Sequence, residues 1–303
     1  MGIAEEIAAR AAQIDKMIEG YLPTEEGYAR TVLSAMNYSV RAGGKRLRPM
    51  LMEASYELFG GQGERVYPFM AAIELIHTYS LVHDDLPSLD NDEYRRGKKT
   101  THAVYGEAMG LLAGDALLNY AYEILAEAMV NDALANGACE TNMARAFAAL
   151  SSNAGYRGMV GGQVVDVESE ETGADSMSRE KLSYIYRNKT GALIQAALMI
   201  GAILADADEE AVGKMREIGD HLGMAFQIRD DILDVTSTLE VLGKPIGSDE
   251  KNHKATYVAV YGMEQAKREV ERTSEEAVRI LETCGGDCRF LRELFRYLID
   301  REK

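Results

Sequence analysis

Gly106-Glu-Ala-Met-Gly-Leu-Leu-Ala-Gly-Asp-Ala-Leu-Leu-Asn-Tyr-Ala-Tyr-Glu-Ile-Leu-Ala-Glu-Ala-Met-Val130 repeats apolar residues every three or four positions and contains no proline. That period belongs to a helix, and the run is too long for a strand. Three further segments read the same way: Met70–Val82, Lys181–Leu204 and Glu209–Leu233. Several are apolar nearly all round, which places them inside a bundle rather than on its surface. No period-2 run bounded by Gly-rich hairpin turns accompanies them. The fold class is therefore all-α.

The chain has 303 residues, 47% of them apolar, enough for a substantial core. Only five prolines occur and no Ser/Gly/Pro-rich linker parts two halves, so residues 1–303 read as a single domain. The 33 Lys and Arg against 49 Asp and Glu leave a net charge of -16, which disfavours nucleic acid as a partner. Three cysteines, Cys139, Cys284 and Cys288, are too few for a disulfide framework, and reduced thiols are expected. The start, Met1-Gly-Ile-Ala-Glu-Glu, lacks a basic region followed by an apolar one, so no signal peptide is expected. The longest apolar run, Gly191–Ala205, is interrupted by Gln195 and too short for a bilayer. A cytoplasmic protein without a membrane span is the expectation.

Two acidic clusters carry the chemistry. Leu81-Val-His-Asp-Asp-Leu-Pro-Ser-Leu-Asp-Asn-Asp92 and Phe226-Gln-Ile-Arg-Asp-Asp-Ile-Leu-Asp234 each end an apolar helix. Asp230 and Asp234 are four apart and share a helix face. Pro87 disfavours continuation of the first helix, so a turn can bring Asp90 back beside Asp84. Like charges this close repel unless something binds them. A solvated acidic helix end explains one such pair, but two pairs capping apolar helices much less well. One or two carboxylates per ion, with substrate phosphates completing the shell, suit Mg²⁺. Neither cluster has the twelve-residue loop and closing Glu that calcium would favour.

Cations surround these clusters. Gly43-Gly-Lys-Arg-Leu-Arg48 combines backbone room with charge, Arg95-Arg96-Gly97-Lys98-Lys99 follows the first cluster, and Lys189-Thr190-Gly191 opens an apolar helix. Lys244 and Lys254 flank a Gly-rich stretch after the second cluster. Each cation alone reads as a surface charge; together, beside carboxylates, they fit diphosphate recognition. No Gly-x-x-x-x-Gly-Lys-Ser/Thr is present, which disfavours an ordinary nucleotide triphosphatase.

In this order the motifs resemble the trans-prenyltransferase family, especially bacterial-type farnesyl diphosphate synthases. The ordered set also includes Gly114-Asp115-Ala116-Leu117 and Gly162-Gln-Val-Val-Asp166 and runs over essentially the whole chain. The resemblance implies an orthogonal helical bundle of the isoprenoid synthase type around a deep central cavity, as a homodimer. Asp84, Asp90 and Asp230 would hold Mg²⁺ on the allylic diphosphate, three ions per active site with substrate bound. Asp85, Asp166 and Asp234 would support them. Arg95, Lys189 and Lys244 would contact the same diphosphate. Lys45, Arg48, His77 and Arg96 would bind isopentenyl diphosphate. Thr190 and Gln227 would turn oxygen dipoles to the developing allylic cation, and closure of the segment with Lys244 and Lys254 would exclude water. The allylic C–O bond ionises, the isopentenyl double bond attacks, and a proton leaves. His77 stands seven residues before Asp84, two turns along the same face, although a lone His on an apolar helix is usually a core residue.

The expected product is farnesyl diphosphate, with geranylgeranyl diphosphate or a longer chain as the rival. Tyr79 and Ser80 lie about one turn, roughly 5–6 Å, before Asp84. Ser80 would let the growing chain pass and Tyr79 would form a floor, unless Tyr79 merely packs in the core. A terpene cyclase would replace the second Asp-rich cluster and lack the Gly-Gly-Lys-x-x-Arg site. A silent partner subunit would have lost Asp motifs that are intact here.

Overall fold

A computed structural model describes residues 2–136, 141–172, 177–236 and 256–300. Three of the helices expected from periodicity, over Met70–Val82, Gly106–Val130 and Glu209–Leu233, each form one continuous helix, whereas Lys181–Leu204 is divided by a π turn at Tyr186–Gly191. Among the described residues the order is α1 (Ile3–Glu19), α2 (Arg30–Arg41), α3 (Leu47–Leu58), α4 (Tyr67–Asp84), α5 (Thr101–Tyr105), α6 (Glu107–Asn136) and α7 (Thr141–Ala154). Then follow α8 (Met159–Thr172), α9 (Arg179–Ile185), α10 (Ala192–Leu204), α11 (Glu209–Thr236), α12 (Tyr257–Tyr261), α13 (Met263–Leu281) and α14 (Arg289–Asp300). The all-α expectation holds with one small addition. Tyr94–Arg95 pairs antiparallel with Lys98–Lys99 across an Arg96-Gly97 turn. Both turn residues have positive φ, 54° and 74°, the conformation that tight hairpins demand and that Gly97 adopts freely.

The chain divides into two compact units. One comprises Ala8–Met50 and Glu64–Ala144; the other comprises Met1–Ile7, Leu51–Gly63 and Arg145–Lys303. In the first, α4 packs on α6, and residues from Phe69 to Val82 bury nearly every face of α4. Pro68, in the first turn of α4, sits where its missing N–H costs nothing. In the second unit, α10 is buried at every position except Gln195 and Met199. The interrupting Gln195 reaches Asp220 on α11 at 3.4 Å, so its amide is not stranded among apolar neighbours. No described helix is long and apolar enough to cross a membrane. Cys284 and Cys288 are free thiols, and Cys139 lies outside the described residues.

Candidate active site

In the first unit the expected turn is formed. Pro87 follows the end of α4, the Leu89 N–H donates to the Leu86 carbonyl, and the Asp90 N–H donates to the Asp84 carbonyl at 2.8 Å. One backbone bond thus holds the two candidate metal-binding residues together. Asp85 differs from both. It is 4% exposed, and Arg95 forks onto its Oδ1, with Nε and Nη2 each at 2.6 Å. Burial pushes the Asp85 carboxyl above its ordinary range, while the Arg95 bond and charge oppose this. Arg95, expected on the diphosphate, bonds Asp85 here. The hairpin explains how: its short ladder aims Arg95 back at the end of α4.

The cationic half of this unit is short of negative charge. Burial comes first in pushing Arg48 down to about 10, partly opposed by Glu74 and reinforced by the Arg96 charge. The Nε of Arg48 is buried without a hydrogen-bond partner. His77, half-buried on α4, is held well below its usual range by desolvation and then by Arg48, Arg96, Arg95 and Arg46. Arg96 is exposed, and its Nη1 donates to the Gly43 carbonyl. Lys45 is exposed in the same loop. Cations pressed together this way favour an anion among them.

Arg46 was not marked by its sequence, although it stands between Lys45 and Arg48. It takes the left-handed φ of 48° and turns inward. Its Nε donates to Asp15 at 2.6 Å, Nη1 to Glu74 at 2.8 Å and Nη2 to the Val40 carbonyl at 2.8 Å. Glu74 lies one turn before His77 on α4, so the buried Arg46–Glu74 pair ties the basic loop to the helix that carries His77 and Asp84.

Tyr79 is buried, edge-on to His83 with ring centroids 5.7 Å apart. Burial, then Tyr122 and Asp84, push its hydroxyl up to about 12. Ser80 is half-buried and folds its hydroxyl onto the His77 carbonyl at 2.8 Å.

The second unit brings together Asp166, Lys189, Thr190 and Gln227. Lys189 Nζ meets Asp166 Oδ2 at 2.6 Å, and Thr190 Oγ1 donates to Gln227 Oε1 at 2.8 Å. Lys189 and Thr190 ride on a π-helical turn, Tyr186–Gly191, between α9 and α10. Such turns insert one extra residue and occur often at functional sites. Asp230 is half-exposed near the end of α11, whereas Asp234 is buried. Lys244 and Lys254 lie outside the described residues.

None of the six candidate metal-binding aspartates belongs to a group of three convergent ligands among the described residues. The group that does is Glu217, His221 and Glu276, within 4.8 Å of one another. Arg279 already bonds both Glu276 oxygens, at 2.9 and 2.6 Å.

Gly162, from the Gly-Gln-Val-Val-Asp motif, faces the π turn. A Cβ there would stand 2.2 Å from the Lys189 backbone nitrogen and 2.7 Å from its Cα. Backbone cannot step aside as a side-chain end can. Gly162→Ala should therefore cost about 1–3 kcal/mol of stability by overpacking. It should also displace Lys189 and Thr190, with a fall in turnover. A melting temperature within a degree of wild type would show that the contact is slack.

Comparison with known proteins agrees with the motifs in both units. The family model described as polyprenyl synthetase matches residues 29–293. Farnesyl diphosphate synthase of Geobacillus stearothermophilus is 42% identical over 274 residues, 90% of this chain and 89% of that protein. Geranylgeranyl diphosphate synthase of Cyanophora paradoxa is 45% identical over 246 residues, 81% of this chain and 79% of that one. The crystal structure of Helicobacter pylori geranyltransferase, complexed with magnesium and isoprenyl diphosphate, superimposes with a TM-score of 0.82 at 30% identity. It covers 99% of this chain and 97% of its own. The chain is a member of the polyprenyl synthetase family, an all-α prenyltransferase.

Proposed function

We propose that the chain condenses isopentenyl diphosphate with dimethylallyl and then geranyl diphosphate to form farnesyl diphosphate, as a single catalytic domain. The observation that carries this reading is the crowded, under-neutralised group of Arg48, Arg96 and His77 beside the Asp84–Asp90 turn. An anion of high charge density relieves that group, and a diphosphate matches its guanidinium forks. Lys45 in the basic loop and Arg48 in the first turn of α3 hold isopentenyl diphosphate, with His77 and Arg96 completing the grip. Lys189, with Lys244, reaches the allylic diphosphate. Thr190 and Gln227 present oxygen dipoles to positive charge developing on the allylic carbon.

The donors fit Mg²⁺: the two motifs offer hard carboxylate oxygens and no thiolate, and Asp84 and Asp90 are joined by a backbone bond. Asp84, Asp90 and Asp230 would hold the ions, with Asp85, Asp166 and Asp234 behind them. When bound, Mg²⁺ supplies Lewis-acid neutralisation of the leaving diphosphate. Chromatography of products from isopentenyl and dimethylallyl diphosphates tests the whole reading; no prenyl product would overturn it.

The fifteen-carbon product is supported by the bulk of Tyr79, buried beside Asp84 and His83. Geranylgeranyl diphosphate is the second reading, supported by the 45% identity to the Cyanophora paradoxa enzyme. Tyr79→Ala should shift product length from fifteen toward twenty carbons or more. An unchanged product would assign the floor to another residue.

A homodimer accounts for the apolar side chains left exposed on α6, among them Leu111, Leu112, Val130 and Leu134. Sedimentation equilibrium at micromolar concentration should return twice the 33.3 kDa chain mass, and a mass near 33.3 kDa would reject the dimer.

A further inference from the structure

We propose that Asp231, the middle carboxylate of the second Asp-rich motif, is a positioning residue that decides which end of the Gln227 amide faces Thr190. This inference rests on the prenyltransferase reading above. Asp231 is 2% exposed, unlike Asp230 beside it, and donors of the protein itself surround it. Tyr186 Oη donates to its Oδ2, and the Tyr257 N–H at the start of α12 reaches the same oxygen at 2.6 Å. Tyr257 N is also 2.9 Å from Tyr186 Oη, which closes a triangle. On the other side, Gln227 Nε2 approaches Asp231 Oδ1 at 3.5 Å.

An ionised carboxylate only accepts, so the amide end that faces it is the NH₂ group. The opposite end, Oε1, then meets Thr190, whose hydroxyl donates to it at 2.8 Å. Thr190 could donate or accept and tolerates either sense of the amide. Asp231 is the partner that chooses. Tyr186 is also the first residue of the π turn that carries Thr190, but the choice of amide end rests on the Gln227 contact alone. If the amide flipped, an N–H dipole would replace an oxygen where positive charge develops, and catalysis would lose a stabilising dipole.

The test is steady-state kinetics with geranyl and isopentenyl diphosphates in Mg²⁺ buffer, together with amide exchange at Tyr257. Asp231→Asn sets an amide against an amide and releases the choice. We expect kcat to fall about a hundred- to a thousandfold, in the range of one lost dipole. KM for both substrates should stay within about twofold, as expected when only transition-state stabilisation is lost. Tyr257 exchange should quicken. Gln227→Glu alone sets two carboxylates together and should also lose rate. The double variant Asp231→Asn/Gln227→Glu restores a donor facing an acceptor and returns an oxygen to Thr190, so its kcat should exceed both single variants. Tyr186→Phe keeps the carboxylate and should leave kcat within about threefold of wild type, since the Gln227 contact survives. Three results would overturn the positioning role: wild-type kcat in Asp231→Asn, no recovery in the double variant, or a loss in Tyr186→Phe as large as in Asp231→Asn. Absence of prenyl transfer by the wild type would instead overturn the functional reading itself.

Discussion

Asp230→Ala and Asp84→Ala are each expected to lower turnover about a thousandfold or more, equivalent to about 4 kcal/mol of transition-state stabilisation. The stability expectation differs. Asp84 is the last residue of α4, and Asp85 caps that helix. Two carboxylates at the negative end of a helix dipole are unfavourable by about 0.3–1 kcal/mol each. Arg95 answers Asp85, as the 2.6 Å fork shows. The Arg95 charge also reaches Asp84, so removing Asp84 trades that attraction against the dipole repulsion. The melting temperature of Asp84→Ala should therefore stay close to that of wild type while activity collapses. Radiolabelled isopentenyl incorporation and a thermal melt measure the two effects. Near-normal turnover by Asp230→Ala in Mg²⁺ buffer would sink the two-cluster arrangement.

The long helices were legible because burial on several faces writes a strong three-and-four-residue period, as in the run that became α6. What periodicity cannot show is a change of one residue. Lys181–Leu204 reads as one continuous helix, yet α9 and α10 are separated by the π turn that carries Lys189 and Thr190. The Arg95/Arg96 hairpin pairs only two residues on each side, too few for a period of two to register. Within the second motif, sequence gives no means of separating Asp230 from Asp231. A step of about 100° around α11 turns one toward solvent and the other into the core. Arg46 was equally hidden. Its partners Asp15 and Glu74 stand far along the chain, and in sequence it looks like one more cation of a basic loop. The fork of Arg95 on Asp85 was hidden too, because the two-residue hairpin that aims it leaves no periodic trace.

Breaking the Arg46–Glu74 pair should destabilise the fold more than Gly162→Ala or the loss of Asp84 or Asp230, which are half-buried. Arg46 and Glu74 are 4% and 2% exposed, and the guanidinium is satisfied by Asp15, Glu74 and the Val40 carbonyl. Glu74→Ala would leave a buried cation with half of its compensation gone, and Arg46→Met would leave a buried carboxylate. Either should cost about 3–5 kcal/mol, the usual penalty for stranding one member of a buried pair. Replacing both with apolar residues, Arg46→Met with Glu74→Leu, should cost less than either single change, because no charge is then left buried. Denaturant unfolding of the three variants measures this ordering. Catalysis should not follow stability. The left-handed turn at residue 46 is held by its side-chain bonds, and it sets the direction in which Lys45 and Arg48 leave the loop. The doubly apolar variant should therefore fold well but bind isopentenyl diphosphate poorly, with KM raised about tenfold or more, as for the loss of a charge-assisted contact. KM for the allylic substrate should change far less. Equal stability of the single and double variants would show that the pair is not the hub of the loop. Normal isopentenyl KM in the double variant would show that the loop holds its direction without it.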